Sequence, residues 1–350
     1  MASAADSVVE ADIVSIGGAT FDVFIRAPHE TVHGNGEEFI QFPLGAKIKV
    51  ESVIQSCGGG AANTSVGFSR LGMKARFCGV IGDDEWGQGI QHALTGEGVL
   101  IDAAVIVEKE ISSFSIILVD PATGNRTVLY SPNVNAHLRD PVFARDLVQK
   151  SRWIFLNHLS DVSSAILDDC LELVRKPRGC SFAWNPGGSQ IKSGFDSPEM
   201  KELLQQTDTL FLNAEEAMMF TRQCHGEDDT TVRIETIKAS IRILTNAGAT
   251  IVCISDGARG AYLSNGNHVF FAPVDPETEV VDTTGAGDAF AVGVTWAVFR
   301  GQDLQTALRA GMINAASVCG VIGTQAGLLR EKEIRLRLTT PVHPVTSSSL

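Results

Sequence analysis

The run Val281-Asp282-Thr283-Thr284-Gly285-Ala286-Gly287-Asp288-Ala289-Phe290 opens an apolar, helix-like segment that continues to Phe299. Glycines on either side of Ala286 let the backbone turn tightly and point successive N–H groups outward at a helix start. Unpaired donors and the positive end of the helix dipole coincide there, which makes the turn a ready anion site. Asp288, a carboxylate set into such a site, is out of place as an anion binder. It suits a base that takes a proton while N–H groups steady the negative charge being transferred, the arrangement that phosphoryl transfer needs. A plain helix cap, for which Asp and Gly are common, accounts for a lone G-A-G-D at least as well.

The rest of the chain narrows the field. At 350 residues it can bury a substantial core. Its 28 Lys and Arg against 41 Asp and Glu give a net charge of -13, which argues against a nucleic-acid or anionic-membrane surface. Seven scattered cysteines with no C-x-x-C pair read as free thiols in a reducing compartment. No apolar run is long enough for a membrane span. Residues 1–12 are acidic and lack arginine, so neither a secretory signal nor a transit peptide is expected, and a cytoplasmic location follows.

Short apolar runs at 12–17, 75–80, 153–156, 181–184, 209–212 and 250–254 alternate with helix-like segments at 64–71, 86–97, 163–174 and 235–246. Strands alternating with helices predict an α/β fold: a mostly parallel sheet covered on both faces, with the ligand site at the carboxyl ends of its strands. Segments 20–56 and 111–135, rich in Phe, Ile, Val and Thr, look like extra strands outside that sheet. Residues 1–340 are expected to make a single domain, and the Pro- and Ser-bearing tail 341–350 to be loose.

Further motifs admit two readings each. Gly58-Gly59-Gly60-Ala61-Ala62-Asn63 lets a ligand approach the backbone closely, with Asn63 offering a donor and an acceptor, but also reads as a glycine loop capped by Asn. Asp22, after Gly17-Gly18, can grip vicinal hydroxyls or merely stabilise a turn. Asn213 and Glu216, at i and i+3, can order a hydrated Mg²⁺ or form a capping box. Asn185, in Trp184-Asn185-Pro186-Gly187, suits a phosphate contact and a simple turn equally, and Arg126 in Gly124-Asn125-Arg126-Thr127 is a site arginine or a solvated turn residue. There is no G-x-x-x-x-G-K-[ST] loop and no G-x-G-x-x-G after the first strand, so neither a P-loop nor a dinucleotide fold is indicated.

Taken together, these motifs resemble the PfkB family of carbohydrate and nucleoside kinases, the ribokinase-like superfamily. The D-T-T-G-A-G-D string around Asp288 resembles its second signature, and G-G-x-x-x-N with R-L-G at 70–72 resembles its first. The resemblance implies a kinase that moves the γ-phosphoryl of ATP to a primary hydroxyl of a sugar or sugar-containing small molecule, beneath a small β-strand lid formed by 20–56 and 111–135; a nucleoside kinase is the alternative, and a non-catalytic member acting as a binding or scaffold protein a further one. It implies Asp288 as the base, with Gly285, Ala286 and Gly287 as the anion hole. Asp22, Gly59, Asn63 and Arg126 become substrate contacts, and Asn185, Ser255, Gly257 and Gly260 nucleotide contacts. Asn213 and Glu216 fall near Mg²⁺, Asp282 and Thr284 near a K⁺ site, and exposed lid strands suit a homodimer. Gly60 stands where ribokinases carry Lys, and Leu159 near their further acidic contact, which counts against a strict ribokinase.

Overall fold

Alternate residues along each central strand divide between two apolar cores, and that division builds the sheet. On strand Ser151–Leu156, Trp153 and Phe155 join Phe68, Phe290 and Trp296 on one face. Ile154 and Leu156 join Leu167, Leu171 and Leu204 on the other. A strand apolar on both sides must be buried on both sides, as in parallel sheets. The structure, a computed structural model, describes residues 10–34, 37–119, 126–139, 144–159, 164–175, 180–223, 230–340 and 345–350.

Nine strands lie side by side in the order Thr346–Ser349, His268–Ala272, Ala261–Ser264, Ile251–Ser255, Thr209–Asn213, Ser181–Trp184, Ser151–Leu156, Ala11–Ile16 and Ala75–Cys78. From Ile251–Ser255 to Ala75–Cys78 every neighbour pair is parallel, and the remaining strands add antiparallel at one edge. Helices Gly60–Arg70, Ala286–Phe299 and Leu304–Cys319 cover one face; Ser164–Val174, Pro198–Gln206, Ala214–Phe220 and Thr230–Asn246 cover the other. Helix Ala286–Phe299 packs tightly because Gly293 has no side chain to strike the Ala310 backbone.

A second sheet, in the order Arg126–Ser131, Phe114–Val119, Thr20–Arg26 and Ser52–Gly58, stands off the main one. Its strand Thr20–Arg26 leaves directly from the first central strand, so Asp22 is carried from the sheet's carboxyl end into the lid. A ribbon of Glu30–Gly34 and Glu37–Gln41 extends this region.

Several elements differ from the sequence reading. The run at 75–80 divides: Val80–Gly82 leaves the main sheet and pairs with Val105–Val107. Helix Gly60–Arg70 starts before residue 64, with Gly59 at φ 89 turning the chain into it; burial of its first turn overrides the poor helix propensity of glycine. Strands Ala261–Ser264 and His268–Ala272 are added. The tail is not loose at 346–349, where it pairs antiparallel with His268–Ala272 and covers what would otherwise be an open edge. Its residues 341–344, like Gly124 and Asn125 beside Arg126, lie outside the described residues.

Candidate functional site

The loop before helix Ala286–Phe299 is shaped by one residue. Gly285 adopts the left-handed conformation, φ 80 and ψ 0, and an ideal Cβ on it would lie 3.0 Å from the Thr324 carbonyl oxygen. Its carbonyl accepts the Ala289 N–H at 2.9 Å, closing the first helical turn. Among the described residues, the N–H groups of Gly285, Gly287 and Asp288 donate to no protein acceptor, whereas that of Ala286 bonds the Thr283 carbonyl at 3.2 Å. The open donors therefore flank Ala286, at the positive end of a 14-residue helix.

Asp288 projects from that first turn. Asn63 Nδ2 donates to its Oδ2 at 2.8 Å, and Gln325 Nε2 donates to Asn63 Oδ1 at 3.1 Å, which fixes the amide's orientation. Desolvation lifts the Asp288 pKa to about 6, against the lowering effects of the Asn63 bond and the charge of the exposed His158. A carboxylate poised there is deprotonated at neutral pH yet retains appreciable basicity.

Across from it, Asp22 is 5 % exposed and accepts a 2.6 Å bond from Ser115 Oγ. Burial lifts its pKa to about 6 as well, offset in part by that bond. Glycine is required on the facing strand: a Cβ on Gly58 would overlap Asp22 Oδ2. Gly59, at φ 89, approaches Gly18 and Ala19 so closely that a Cβ would sit 2.7 Å from the Gly18 carbonyl oxygen. Asp22, Gly59, Asn63 and Asp288 are thus brought together where the lid meets the sheet.

On the other side of the Gly285 turn lies a pocket of about 280 Å³. Ser255, Gly257 and Gly260 line one wall, Ala286 and Gly287 the end nearest Asp288, and apolar groups such as Val280, Met312 and Cys319 the remainder. A ligand with an apolar part and an anionic end fits this polarity.

Asn213 and Glu216 form the capping box of helix Ala214–Phe220, with Glu216 N–H to Asn213 Oδ1 and Asn213 N–H to Glu216 Oε2 both 2.8 Å. No three His, Cys, Asp or Glu side chains among the described residues cluster to hold a metal. Asn185 sits at the same sheet edge, but its Nδ2 donates to the Phe211 carbonyl at 2.9 Å and ties two strands together. Asp282 is buried; Oδ1 accepts the Thr284 N–H at 2.9 Å and hydroxyl at 2.6 Å, and Oδ2 accepts the Gly323 N–H at 3.2 Å. Arg126 reaches this loop from the lid, donating to Thr283 Oγ1 at 2.9 Å with its guanidinium 3.6 Å from Asp282. It meets the loop, not the Asp22–Asn63 pair.

Gln325, Ser115 and His158 escape the sequence reading. Ser115 faces Asp22 only because strands Thr20–Arg26 and Phe114–Val119 pair in register, Asp22 opposite Ser115. Gln325 reaches Asn63 over 262 residues of chain, with no motif to mark it. His158 stands two residues beyond a predicted strand, at the functional edge, and that position is the available signal.

The family model described as pfkB family carbohydrate kinase matches residues 13–331. An uncharacterized sugar kinase of Archaeoglobus fulgidus is 30 % identical over 272 residues, covering 76 % of this chain and 99 % of that protein. Aminoimidazole riboside kinase of Salmonella typhimurium is 27 % identical over 285 residues, 79 % of this chain and 85 % of its own. Among solved structures, Arabidopsis thaliana ribokinase complexed with ribose and ATP has a TM-score of 0.76 at 22 % identity, covering 95 % of this chain and 100 % of that one. Burkholderia thailandensis nucleoside kinase in complex with inosine has a TM-score of 0.72 at 18 % identity, covering 95 % and 100 %. The structural likeness carries the ribokinase-like fold; the match across nearly the whole chain carries the identity, and the chain belongs to the pfkB family of carbohydrate kinases, phosphotransferases with an alcohol acceptor.

Proposed function

We propose that this protein transfers the γ-phosphoryl group of ATP to a primary hydroxyl of a sugar or sugar-containing small molecule. The observation that carries the reading is the position of Asp288, which accepts a bond from Asn63 and directly follows Gly287, a lining residue of the pocket bounded by Ser255, Gly257 and Gly260. An acceptor held by Asp22, Gly59 and Asn63 presents its hydroxyl to Asp288, which takes the proton. The hydroxyl oxygen bonds to the γ-phosphorus as the bond to the β–γ bridging oxygen breaks, and ADP leaves. Open N–H groups at Gly285, Gly287 and Asp288 stabilise the charge on the phosphoryl oxygens in flight, with Ala286 shaping the turn between them.

Triphosphate binding to a kinase of this kind calls for Mg²⁺, which neutralises phosphate charge when bound. Glu216 and Asn213 keep lone pairs beyond those used in their capping box, so they fit a hydrated ion held through water. The Asp282–Thr284 pair does not fit a K⁺ site as well: both Asp282 oxygens accept protein donors, the Thr284 hydroxyl among them, and Arg126 already supplies positive charge. No step depends on K⁺.

Both sugar and nucleoside acceptors satisfy Asp22 and Asn63 through ribose-type hydroxyls, and the relatives include kinases for each. The lid's edge strand supports the expected pairing of two copies, since Val128, Leu129 and Tyr130 are each about half exposed on it. Coupled ATP consumption against a panel of sugars, nucleosides and sugar phosphates tests the function. Saturable turnover on one class is expected; ATP binding with no turnover on any class contradicts it.

A further inference from the structure

Behind the pocket's glycine wall lies a charge network that no motif announces. Asp256 follows Ser255, is 3 % exposed, and is not among the residues lining the pocket. Its Oδ1 accepts Arg233 Nε at 3.0 Å, Arg233 Nη2 at 2.5 Å and Arg259 Nη2 at 3.0 Å, and its Oδ2 accepts Arg259 Nε at 2.8 Å. Arg233, from helix Thr230–Asn246, also donates to Glu215 Oε1 at 2.6 Å. Glu215 lies in the first turn of the helix that Asn213 and Glu216 cap. The chain Glu215–Arg233–Asp256–Arg259 therefore joins the turns that follow two neighbouring strands, Thr209–Asn213 and Ile251–Ser255.

The loop so held has reason to need it. Gly257 and Gly260 both take positive φ, 54 and 125, and Gly260 lies against the Ala272 backbone where a Cβ would overlap the carbonyl. Such glycines lose much conformational freedom on ordering. The local backbone contributes few bonds, Asp256 N–H to Gly260 O at 2.8 Å and Arg259 N–H to Asp256 O at 3.1 Å among them. Burial works to raise the Asp256 carboxyl, but the bonds and charges of Arg259 and Arg233 outweigh it and hold the group below the usual range. It is ionised at neutral pH, and charge-assisted bonds of this kind are strong and directional.

We propose that Asp256 is a positioning residue for the nucleotide: anchored by Arg233 and Arg259, it holds the Ser255–Gly257–Gly260 wall in the shape that receives ATP, and Glu215 locks that wall to the Asn213 turn. The proposal rests on the reading of this pocket as the ATP site. It acts through the loop, without contact to ATP, and it is separate from the acceptor site.

Two variants test it, with steady-state kinetics in each substrate and titration of a non-hydrolysable ATP analogue. Asp256→Asn keeps the shape and removes the charge; ATP KM and analogue Kd should each rise about tenfold, with acceptor KM within twofold of wild type. Glu215→Gln, at an exposed outer link, should raise both ATP constants about threefold without affecting folding. A merely structural role predicts lower thermal stability with ATP affinity intact, and that result overturns the proposal, as does an equal rise in both KM values. Should Asp256→Asn not fold, unchanged ATP affinity in Glu215→Gln overturns it alone. Wild-type protein that fails to bind the analogue removes the ATP-site reading as well, which separates the two failures.

Discussion

Asn63 Nδ2 lies 2.8 Å from Asp288 Oδ2, joining the first turns of two helices that stand 225 residues apart in the chain. This bond links the glycine-rich turn beside the lid to the candidate base, so under the proposed mechanism one residue would both hold the acceptor and tune the base. The bond favours the ionised carboxylate and opposes the desolvation that lifts it to about 6.

Removing the bond should therefore move the acid limb of the pH–rate profile. With Asp288 as the proposed base, kcat/KM should rise with pH through about 6 in the wild-type protein. In Asn63→Ala the midpoint should shift upward and kcat/KM at neutral pH fall by roughly 10²-fold, since an acceptor contact goes as well. A profile with an unmoved midpoint would show that Asn63 does not govern the titrating group.

Asp22 should trade stability for binding. Its folded pKa of about 6 exceeds the ordinary 3.8, so between those values the native state binds more protons than the unfolded chain. Stability thus falls as pH rises through that window, and the full cost is present at neutral pH. Asp22→Asn should be more stable than wild type at pH 7.5, on the order of 1–3 kcal/mol, with the gain vanishing near pH 4. Its acceptor KM should rise at least tenfold. Denaturant titrations at both pH values check the sign.

Arg126 should behave as a tie between lid and loop. Arg126→Gln removes the bond to Thr283 and the charge beside Asp282. Turnover should drop about tenfold with little change in thermal midpoint, because the side chain starts a solvent-exposed lid strand. Wild-type rate should change less than twofold when K⁺ is exchanged for tetramethylammonium. A strong K⁺ activation would show that the cation, not Arg126, serves Asp282.

Much of the fold is legible because its signals are local. The sheet follows from apolar runs spaced by helix-length segments, and the anion turn follows from glycines set around Ala286, where no other residue gives Gly285 its φ of 80 at so little cost. Asp22 and Asn63 are legible through their glycine neighbours. What escapes depends on register or on chain returning from afar. Ser115 is an ordinary strand serine until pairing sets it against Asp22. Arg233 lies 23 residues before Asp256, on a helix face whose partner only the parallel order of strands defines. The tail misleads for a related reason: serines and prolines suggest looseness, but the edge of strand His268–Ala272 offers backbone partners that residues 346–349 take up.

The central claim is that Asp288 is the base, and Asp288→Asn tests it most directly. The measurement is single-turnover phosphoryl transfer with Mg²⁺ and the best acceptor, alongside ATP affinity by titration. Asparagine keeps the shape and can still meet Asn63, but it cannot accept the hydroxyl proton. A fall in the transfer rate of at least 10³-fold, with ATP affinity within about twofold of wild type, is the predicted result. Transfer at the wild-type rate would contradict the account and remove Asp288 from the chemistry.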